Sequence, residues 1–247
     1  MIGQPMSVRI DKNTTIKLAP FTREDVGAFI KDGRMQHHTV SRFVSMRYAL
    51  TIEDEQEWYD RTRIDEASRV WGIWDESDGE PKLIGNTALT RLEESPLRQM
   101  TSGSVLSDPN YWGRGIATAI HKARTWFAFN QLDLVRIKST VHTPNIASKK
   151  ALLHSGYFHH STERNVIFVD GALQHLERFE CLNPASYAWD RWWGGDEPTA
   201  EALAAREVTK SALKWADENV TLLKVGNPAS SRCGVLTKAL MFDIMKV

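Results

Sequence analysis

Asp108-Pro-Asn-Tyr-Trp-Gly-Arg-Gly-Ile-Ala-Thr118 is the strongest structural signal in the sequence. A short apolar run, residues 105–106, precedes it, and a helical pattern follows it to about Asn130. Gly113 and Gly115 stand where that helix begins, so the backbone there can take up positive φ and approach a ligand closely. The free N–H groups and the dipole of a helix start bind phosphate. The stretch is therefore either a phosphate-binding turn or a plain turn between strand and helix.

Two familiar glycine motifs do not fit this stretch. It is not the P-loop, because no Gly-Lys-Ser/Thr follows the glycines. It is not the dinucleotide fingerprint, which needs a third glycine in the same frame.

The composition is that of a globular protein with a substantial core. The chain has 247 residues, of which 42% are hydrophobic and 25% are charged. Lys plus Arg equals Asp plus Glu at 31 each, so no overall field recruits nucleic acid or an anionic membrane. No run approaches the ~20 apolar residues that a membrane span needs. We predict neither a nucleic-acid partner nor a membrane partner.

The cysteines and histidines do not indicate a metal site. Cys181 and Cys233 lack the spacing of a zinc site or a redox pair, and we interpret them as reduced thiols. His37 and His38 are adjacent, and no third ligand lies at metal-binding spacing. Residues 1–12 contain no signal-peptide core. The expectation is a cytoplasmic protein without a metal.

The first half of the chain alternates between helix and strand signals. Residues 1–13 are predicted to be a loose arm, and residues 15–18 a short strand. Thr22-Arg-Glu-Asp25 opens a helix with an N-cap and a returning acid, and a second helix begins near Thr51. Three further strands are predicted at residues 70–74, 83–92 and 103–107.

The second half begins with the helix after the glycine turn. Its apolar positions form one helical stripe, made of Ile116, Ile120, Ala123 and Phe127. Residues 135–141 alternate as a strand, and Asn145 caps a helix that ends before Gly156. Strands are then predicted to begin at residue 157 and to cover residues 166–169 and 176–182, with Asp170-Gly171 as a turn.

The composition changes after Pro184. Aromatic residues crowd the next segment, namely Tyr187, Trp189, Trp192 and Trp193. A helix is predicted from about Pro198, in its first position, to Asp217, followed by extended segments at residues 220–225 and 235–244. We divide the chain into a domain of residues 1–183 and a C-terminal extension of residues 184–247.

Three motifs in this order resemble the GNAT N-acetyltransferase superfamily, and within it the ribosomal-protein-alanine N-acetyltransferase branch. Leu18-Ala-Pro-Phe-Thr-Arg-Glu-Asp25 is similar to the opening L-x-P-x-x-x-x-D. The glycine stretch is similar to D-P-x-Y-W-G-K-G-x-A-T. Val141-His-Thr-Pro-Asn-Ile-Ala-Ser148, with Ser155-Gly-Tyr157 after it, is similar to V-x-x-x-N-x-x-S and a closing x-G-F. The resemblance covers roughly residues 14–183.

This resemblance implies the α/β (α+β) GNAT fold. That fold has a central mixed, mostly antiparallel twisted sheet flanked by helices, to which this chain adds its C-terminal extension. It also implies acetyl-CoA as the cofactor, CoA as the product and an amine as the acceptor.

The resemblance assigns cofactor contacts residue by residue. Pantetheine would meet the fourth predicted strand at Val105, Leu106 and Ser107. Pyrophosphate would meet the glycine turn, made of Trp112, Gly113, Arg114, Gly115, Ile116, Ala117 and Thr118. Asn145 would bond the pantetheine arm, and Ser148 would lie near the thioester sulfur. Lys149 or Lys150 would reach the adenosine phosphate, or else belong to a solvated helix face.

The chemistry needs three functions from the protein. An amine, with a pKa of about 8 for an α-amino group or about 10 for lysine, must lose a proton before it attacks. A backbone N–H of the fourth predicted strand is the natural donor to the oxyanion. Ser148 either donates to the leaving thiolate or bonds its own helix backbone.

The general base stays open, because the sequence departs from the family at three places. Thr101-Ser102-Gly103 stands where many relatives have a carboxylate, Ala119 where many have Glu, and Leu152 where many have the acidic Tyr. His142, Glu177 or an ordered water chain are the candidates for the base. Either residue has a surface role as its alternative.

The acceptor and the extension also stay open. The acceptor is either a protein N-terminus or a small-molecule amine. The alternative to an enzyme is an acyl-CoA-binding scaffold or regulatory module without catalysis, or a structural domain with a chance glycine turn. Residues 184–247 would either wall in a small substrate or form a homodimer interface.

Overall fold

The computed structural model describes residues 3–44, 49–77, 79–91, 97–185 and 188–224. In chain order, its strands and α-helices are β1 (Met6–Arg9), β2 (Thr15–Ala19), α1 (Gly27–Ile30), α2 (His38–Ser41), α3 (Ile52–Ile64), β3 (Arg69–Asp75), β4 (Lys82–Arg91), β5 (Gln99–Leu106), α4 (Ile116–Asn130), β6 (Arg136–His142), α5 (Ile146–Leu153), β7 (Phe158–Val169), β8 (Ala172–Leu182), α6 (Ala188–Trp192), α7 (Ala200–Asn219) and β9 (Val220–Leu222).

All nine of these strands belong to one sheet, in the order β7-β8-β6-β5-β4-β3-β2-β1-β9. Neighbouring strands are antiparallel at every junction except β5–β6, which is parallel. The predicted fold class, a mixed and mostly antiparallel sheet flanked by helices, is confirmed.

Two layers of helices cover the sheet. Helix α4 lies on one face, and the predicted stripe from Ile116 to Phe127 is buried there. Helices α1 and α3 lie on the other face, where Phe21 and Phe29 pack with Trp58. We call these the α4 face and the α1 face.

The prediction of a loose arm at residues 1–13 is wrong, because residues 6–9 form strand β1. Met6 and Val8 are fully buried, and they pair with Leu18 and Ile16 of β2. The alternation of buried and outward side chains is that of a half-buried strand. A polar composition concealed this period of two.

The two strands predicted after Gly156 are one strand, β7. Its pairing with β8 shifts register between His159 and Ser161 and again between Glu163 and Ile167. Such bulges absorb extra residues without ending the strand, and they broke the alternation in the sequence. The turn at Asp170-Gly171 is confirmed, with positive φ at both residues.

The region after residue 183 packs against the rest of the sheet. Helix α7 begins at Ala200 with Thr199 as its N-cap, so Pro198 lies outside the helix and not in its first position. Thr209 Oγ1 donates to Gly156 O at 3.1 Å. Strand β9 pairs with β1. Residues 225–247, which include Cys233 and the predicted extended segment 235–244, lie outside the described residues.

Candidate functional site

A cleft opens in the sheet between β5 and β6. The two strands pair only where residues 99–102 face residues 136–139. Beyond that point, residues 103–106 of β5 stay paired with β4, and residues 140–142 of β6 stay paired with β8. We call the gap between these two segments the cleft. Its edges offer backbone N–H and C=O groups to an extended ligand.

The backbone of β5 alternates between β4 and the cleft. Ser107 N donates to Ile84 O at 2.9 Å, so the N–H of Ser107 points toward β4. Because this direction reverses with each residue, the N–H groups of Ser104 and Leu106 point into the cleft. Trp112 Nε1 donates to Leu106 O at 3.0 Å, which places the indole at the end of the cleft.

Val105 and Leu106 of β5, and Ser107 directly after it, were expected to contact pantetheine, and they differ in orientation. Leu106 directs its main chain into the cleft. Val105 packs its side chain into the cluster on the α1 face, and its main chain faces β4. Ser107 is fully buried, and its hydroxyl donates to Ile84 O at 3.1 Å. Ser104, which sequence reasoning did not single out, directs its N–H into the cleft instead.

The glycine turn lies at the mouth of the cleft, directly after β5. Gly113 and Gly115 have φ values of 75° and 76°, and residues 113–115 are exposed. Gly115 is the N-cap of α4 and offers no side-chain cap. Ala119 N donates to Gly115 O at 3.0 Å, so the N–H groups of residues 116–118 have no partner within the helix. The turn therefore presents several outward amides to an anion.

Buried side chains hold this turn in place. Asp108 pairs with Arg34 at 3.2 Å, and its carboxylate also accepts from Asn110 N at 3.0 Å. Tyr111 donates its hydroxyl proton to Asp75 at 2.8 Å. Burial alone would raise the pKa of Asp75, but hydrogen bonds, from Ser77 and Tyr111 among others, lower it below its ordinary value. Arg114 lies over the ring of Tyr111 at 5.2 Å, with its guanidinium beside the turn.

Asn145 and Ser148 lie together at the start of α5, beyond the end of β6. Asn145 Oδ1 accepts from Ser148 N at 3.1 Å, which is the N-cap contact of the helix. The side-chain amide protons of Asn145 are not used in that contact. The Ser148 hydroxyl makes no hydrogen bond with the described residues, so the bond to its own helix backbone is not formed.

Lys149 and Glu177 bind each other. Their ammonium and carboxylate are 3.0 Å apart, with side-chain exposures of 19% and 17%. Glu177 is paired with Val141 across β6 and β8, and directly opposed residues share a face. Both residues therefore lie on the α4 face, and the expected phosphate ligand and the candidate base neutralise each other.

His142 lies on the other side of the sheet. It follows Val141, and consecutive strand residues point to opposite faces, so His142 is on the α1 face. Its ring packs edge-on against Phe43 at 6.3 Å. The residue is 7% exposed, and burial lowers the pKa of the imidazole. Of the two candidate bases, His142 is the one beside the open part of the α1 face.

Arg124 of α4 is a site residue that sequence reasoning missed. It is fully buried, and its Nη1 donates to Gly103 O at 2.8 Å and to the hydroxyls of Thr87 and Ser104 at 2.7 Å each. Its Nη2 lies 2.6 Å from Nδ1 of His121. Burial, and next the charge of Arg124, hold the pKa of His121 well below its usual range, so this nitrogen accepts.

These contacts place a positive charge directly behind the cleft. The peptide group that joins Gly103 to Ser104 bonds Arg124 through its carbonyl, and its N–H points the opposite way, into the cleft. These four partners of Arg124 are neutral, and the Tyr157 hydroxyl is also close enough to act on the guanidinium. The signal was available in the sequence, since an arginine four residues after Ile120 falls within the apolar stripe of α4.

Three further findings concern metal binding, membrane crossing and Cys181. Among the described residues, no group of three His, Cys, Asp or Glu side chains is placed to hold a metal ion. No helix in the described ranges is long and apolar enough to cross a membrane. Burial raises the pKa of the Cys181 thiol to about 12, so Cys181 is inert.

Comparisons with known proteins identify the class. A family model described as an acetyltransferase (GNAT) domain matches residues 15–157. A spermidine N-acetyltransferase from Vibrio cholerae, crystallised with CoA and spermine, has a TM-score of 0.59 at 19% identity, with 70% of this chain and 96% of that chain covered. An acetyltransferase of the GNAT family from Bacillus anthracis has a TM-score of 0.58 at 16% identity, with 71% and 98% covered. No curated protein matches the sequence significantly.

The chain belongs to the GNAT acetyltransferase domain family, which uses acetyl-CoA. The superfamily predicted from the three motifs is thereby confirmed. The ribosomal-protein-alanine branch stays a prediction, because structures at this level of identity show the fold alone.

Proposed function

We propose that the chain is an acetyl-CoA-dependent N-acetyltransferase that acetylates a primary amine by direct attack on the thioester. The observation that supports this most is the cleft between β5 and β6, with the exposed glycine turn at its mouth. An extended ligand with an anionic end fits this arrangement, because unpaired strand edges bind amides and helix starts bind phosphate.

The binding roles follow from the geometry of the main chain. Ser104 and Leu106 bind the pantetheine amides, because their N–H groups point into the cleft. Residues 113–118 bind the pyrophosphate through outward amides, with Arg114 beside them. Asn145 binds the pantetheine arm through its free amide protons. The role of Lys149 is restricted by its ion pair with Glu177.

Acetyl-CoA supplies a thioester carbonyl, and Ser104 N–H is the proposed donor to its oxygen. Arg124 withdraws electron density from that peptide group through Gly103 O, which makes the N–H a stronger donor. Because the donor and the guanidinium are fixed before the ligand arrives, no reorganisation is needed as negative charge develops. Arg124 is thus a positioning residue.

Proton transfer uses both ends of the cleft. His142 is the proposed base for the amine, since its lowered pKa keeps the imidazole neutral at pH 7. Glu177 is disfavoured by its ion pair and by its place on the α4 face. Ser148 is the proposed donor to the leaving sulfur, because its hydroxyl makes no bond within the described chain.

The test is thiol release from acetyl-CoA with a panel of amines, alongside calorimetric binding of CoA. We expect wild-type protein to bind CoA and to release thiol with at least one amine class. Gly115→Val should weaken CoA binding by at least about 10-fold, because a Cβ at positive φ distorts the turn. Gly194→Val, at an exposed glycine with φ of 61°, imposes a similar backbone strain away from the cleft and should leave binding unchanged.

Each contrary result has a meaning. CoA binding without thiol release across the panel would support the inactive scaffold instead of the enzyme. Unchanged CoA binding by Gly115→Val would remove the turn from the site.

A further inference from the structure

Beyond the cleft, the α1 face continues over β6, β8 and β7 as an exposed floor. Thr140 and Arg178 are directly paired across β6 and β8, and both are exposed. At one end, the Arg136 guanidinium lies 4.8 Å from the ring of Trp192. At the other end, Phe43 packs against His142. We call this floor, with its two aromatic ends, the trough.

The trough opens onto the cleft. Lys138 of β6 pairs with Thr101 of β5 in the last parallel segment before the strands separate. The next residues on the same face are Gly103 and Thr140, and both are exposed. A Cβ built on Gly103 would meet no atom within 4 Å. A ligand in the trough therefore reaches the cleft beside Lys138.

Three sets of ion pairs in the trough involve most of its cations, but not Lys138. Arg136 pairs with Glu180 at 3.0 Å, and Arg178 pairs with Glu163. At the far end, Asp170 binds both Arg42 and His38.

The cation left over is Lys138. Its side chain forms no hydrogen bond and no ion pair with the described residues. The charges of Arg136, of Glu180 directly opposite on β8, and of Arg178 are close enough to act on it. The charges of Lys138, Arg136 and Arg178 also act on His160 of β7. A partly buried ammonium without a partner is costly unless a ligand compensates it.

We propose that the acceptor is an amine that also has a carboxylate, and that Lys138 binds this carboxylate at the root of the cleft. This inference rests on the proposed acetyl transfer and names its acceptor class. A charge-assisted bond to Lys138 orients the acceptor, with its amine toward the cleft and His142. The surrounding cations also disfavour an ammonium, which favours the neutral amine that attacks. A polyamine, with several positive charges, is disfavoured by the same field.

The experiment compares acceptors that differ only in the carboxylate. In the first arm, each amino acid is compared with its amide. In the second arm, short peptides that have Glu or Asp next to the N-terminus are compared with the same peptides that have Gln or Asn there. Spermidine is the third arm. We expect the carboxylate member of a pair to have the higher kcat/KM, by about 10-fold, and the arm that responds tells a free amino acid from a peptide.

Variants locate the effect. Lys138→Gln should raise KM for the carboxylate acceptor by about 10-fold and leave its amide counterpart unchanged, and Lys138→Arg should recover most of the affinity. Lys12→Gln, at an exposed lysine on the β1–β2 turn, is the matched control. Calorimetric binding of the acceptor to the protein with CoA present should show the same loss, and a thermal melt checks the fold of each variant.

The outcomes separate this inference from the proposed function. A preference for spermidine, or an equal effect of Lys138→Gln on both members of a pair, would overturn the acceptor class and leave acetyl transfer standing. If no amine of the panel supported thiol release, both the proposed transferase and this inference would be overturned.

Discussion

The two faces of the sheet treat their ionisable groups differently. On the α4 face, Lys149 and Glu177 neutralise each other, and Arg124 has four hydrogen-bonding partners. On the α1 face, Glu55 is buried and Lys138 is partly buried, and neither makes a hydrogen bond or an ion pair with the described residues. Lys149, Glu177 and Arg124 are thus fixed in position by their partners, although the partners of Arg124 are neutral. Lys138 is not fixed in this way, whereas its neighbours Arg136 and Arg178 are ion-paired.

This difference matches two tasks of an acetyltransferase. In the function proposed above, the α4 side and the glycine turn bind acetyl-CoA through backbone groups and fixed hydrogen bonds. The acceptor binds on the α1 side, where binding depends on a few side chains such as Lys138. Three substitutions test this division, in order of decreasing effect.

The largest effect is expected from His142→Gln. Loss of the base should lower kcat by about 100-fold, with CoA affinity unchanged because His142 lies on the α1 face. Since burial lowers the pKa of His142, wild-type kcat/KM should decrease on the acid side only below pH ~6.5. The variant should not show this decrease. His159→Gln, at an exposed histidine of β7, is the control. If His142→Gln kept the wild-type rate, His142 would not be the base.

A smaller effect on rate is expected from Arg124→Met. Without the guanidinium, Gly103 O and the Ser104 N–H lose their polarisation, and kcat should fall by about 10-fold. Four buried acceptors also lose a donor, so the free energy of unfolding should drop by about 3 kcal/mol. Thr87→Val removes one of these bonds and the contact of Thr87 itself with Gly103 O at 3.1 Å. It keeps the contact between Arg124 and Gly103 O, so it should retain most of the rate in the same assay.

Equal losses in Arg124→Met and Thr87→Val would contradict this reading. They would mean that the buried network acts on rate through packing alone.

The smallest effect concerns stability on the α1 side. Glu55 lies in the first turn of α3, on the helix face of Trp58 and Tyr59, which pack on Phe21. Burial, and next the charge of Asp54, raise the pKa of Glu55 to about 7. A raised carboxyl pKa stabilises the fold below the unfolded pKa of 4.5, and this contribution is lost as pH rises from 4.5 to about 7.

Glu55→Gln should therefore raise stability at pH 8 by about 2 kcal/mol and leave it unchanged at pH 4. Thermal melts at the two pH values measure this, as an increase in Tm of about 5 °C at pH 8 alone. Glu53→Gln, an exposed neighbour in the same helical turn, should have no effect at either pH. The same increase in Tm at both pH values would show that ionisation is not the cause.

The local structure of the proposed donor half could be predicted from the sequence, because that half is built from short segments. The turn at Gly113 and Gly115, the helix after it and the cap at Asn145 are each specified by a few consecutive residues. Their φ values and hydrogen bonds follow from short-range chemistry. The succession of helices and strands along the chain could be predicted from the same local signals, apart from β1 and the bulged β7.

The acceptor half could not be predicted in this way, because pairing between distant strands assembles it. Lys138 and Arg178 meet through the β6–β8 register, which no local pattern specifies. The same register separates His142 from Glu177, and a shift of one residue would have reversed their faces. Arg124 was missed because its meaning depends on Gly103, which lies on another element.

Strand β9 has a consequence for the order in which the protein assembles. It completes the hydrogen bonding of β1, and Arg9 beside it donates to Asn219, 210 residues further along the chain. During synthesis, β1 must wait for nearly the whole described chain before its outer edge is covered. Contacts of such long range form late and slowly. An exposed β1 edge is therefore a point at which the nascent protein is open to aggregation.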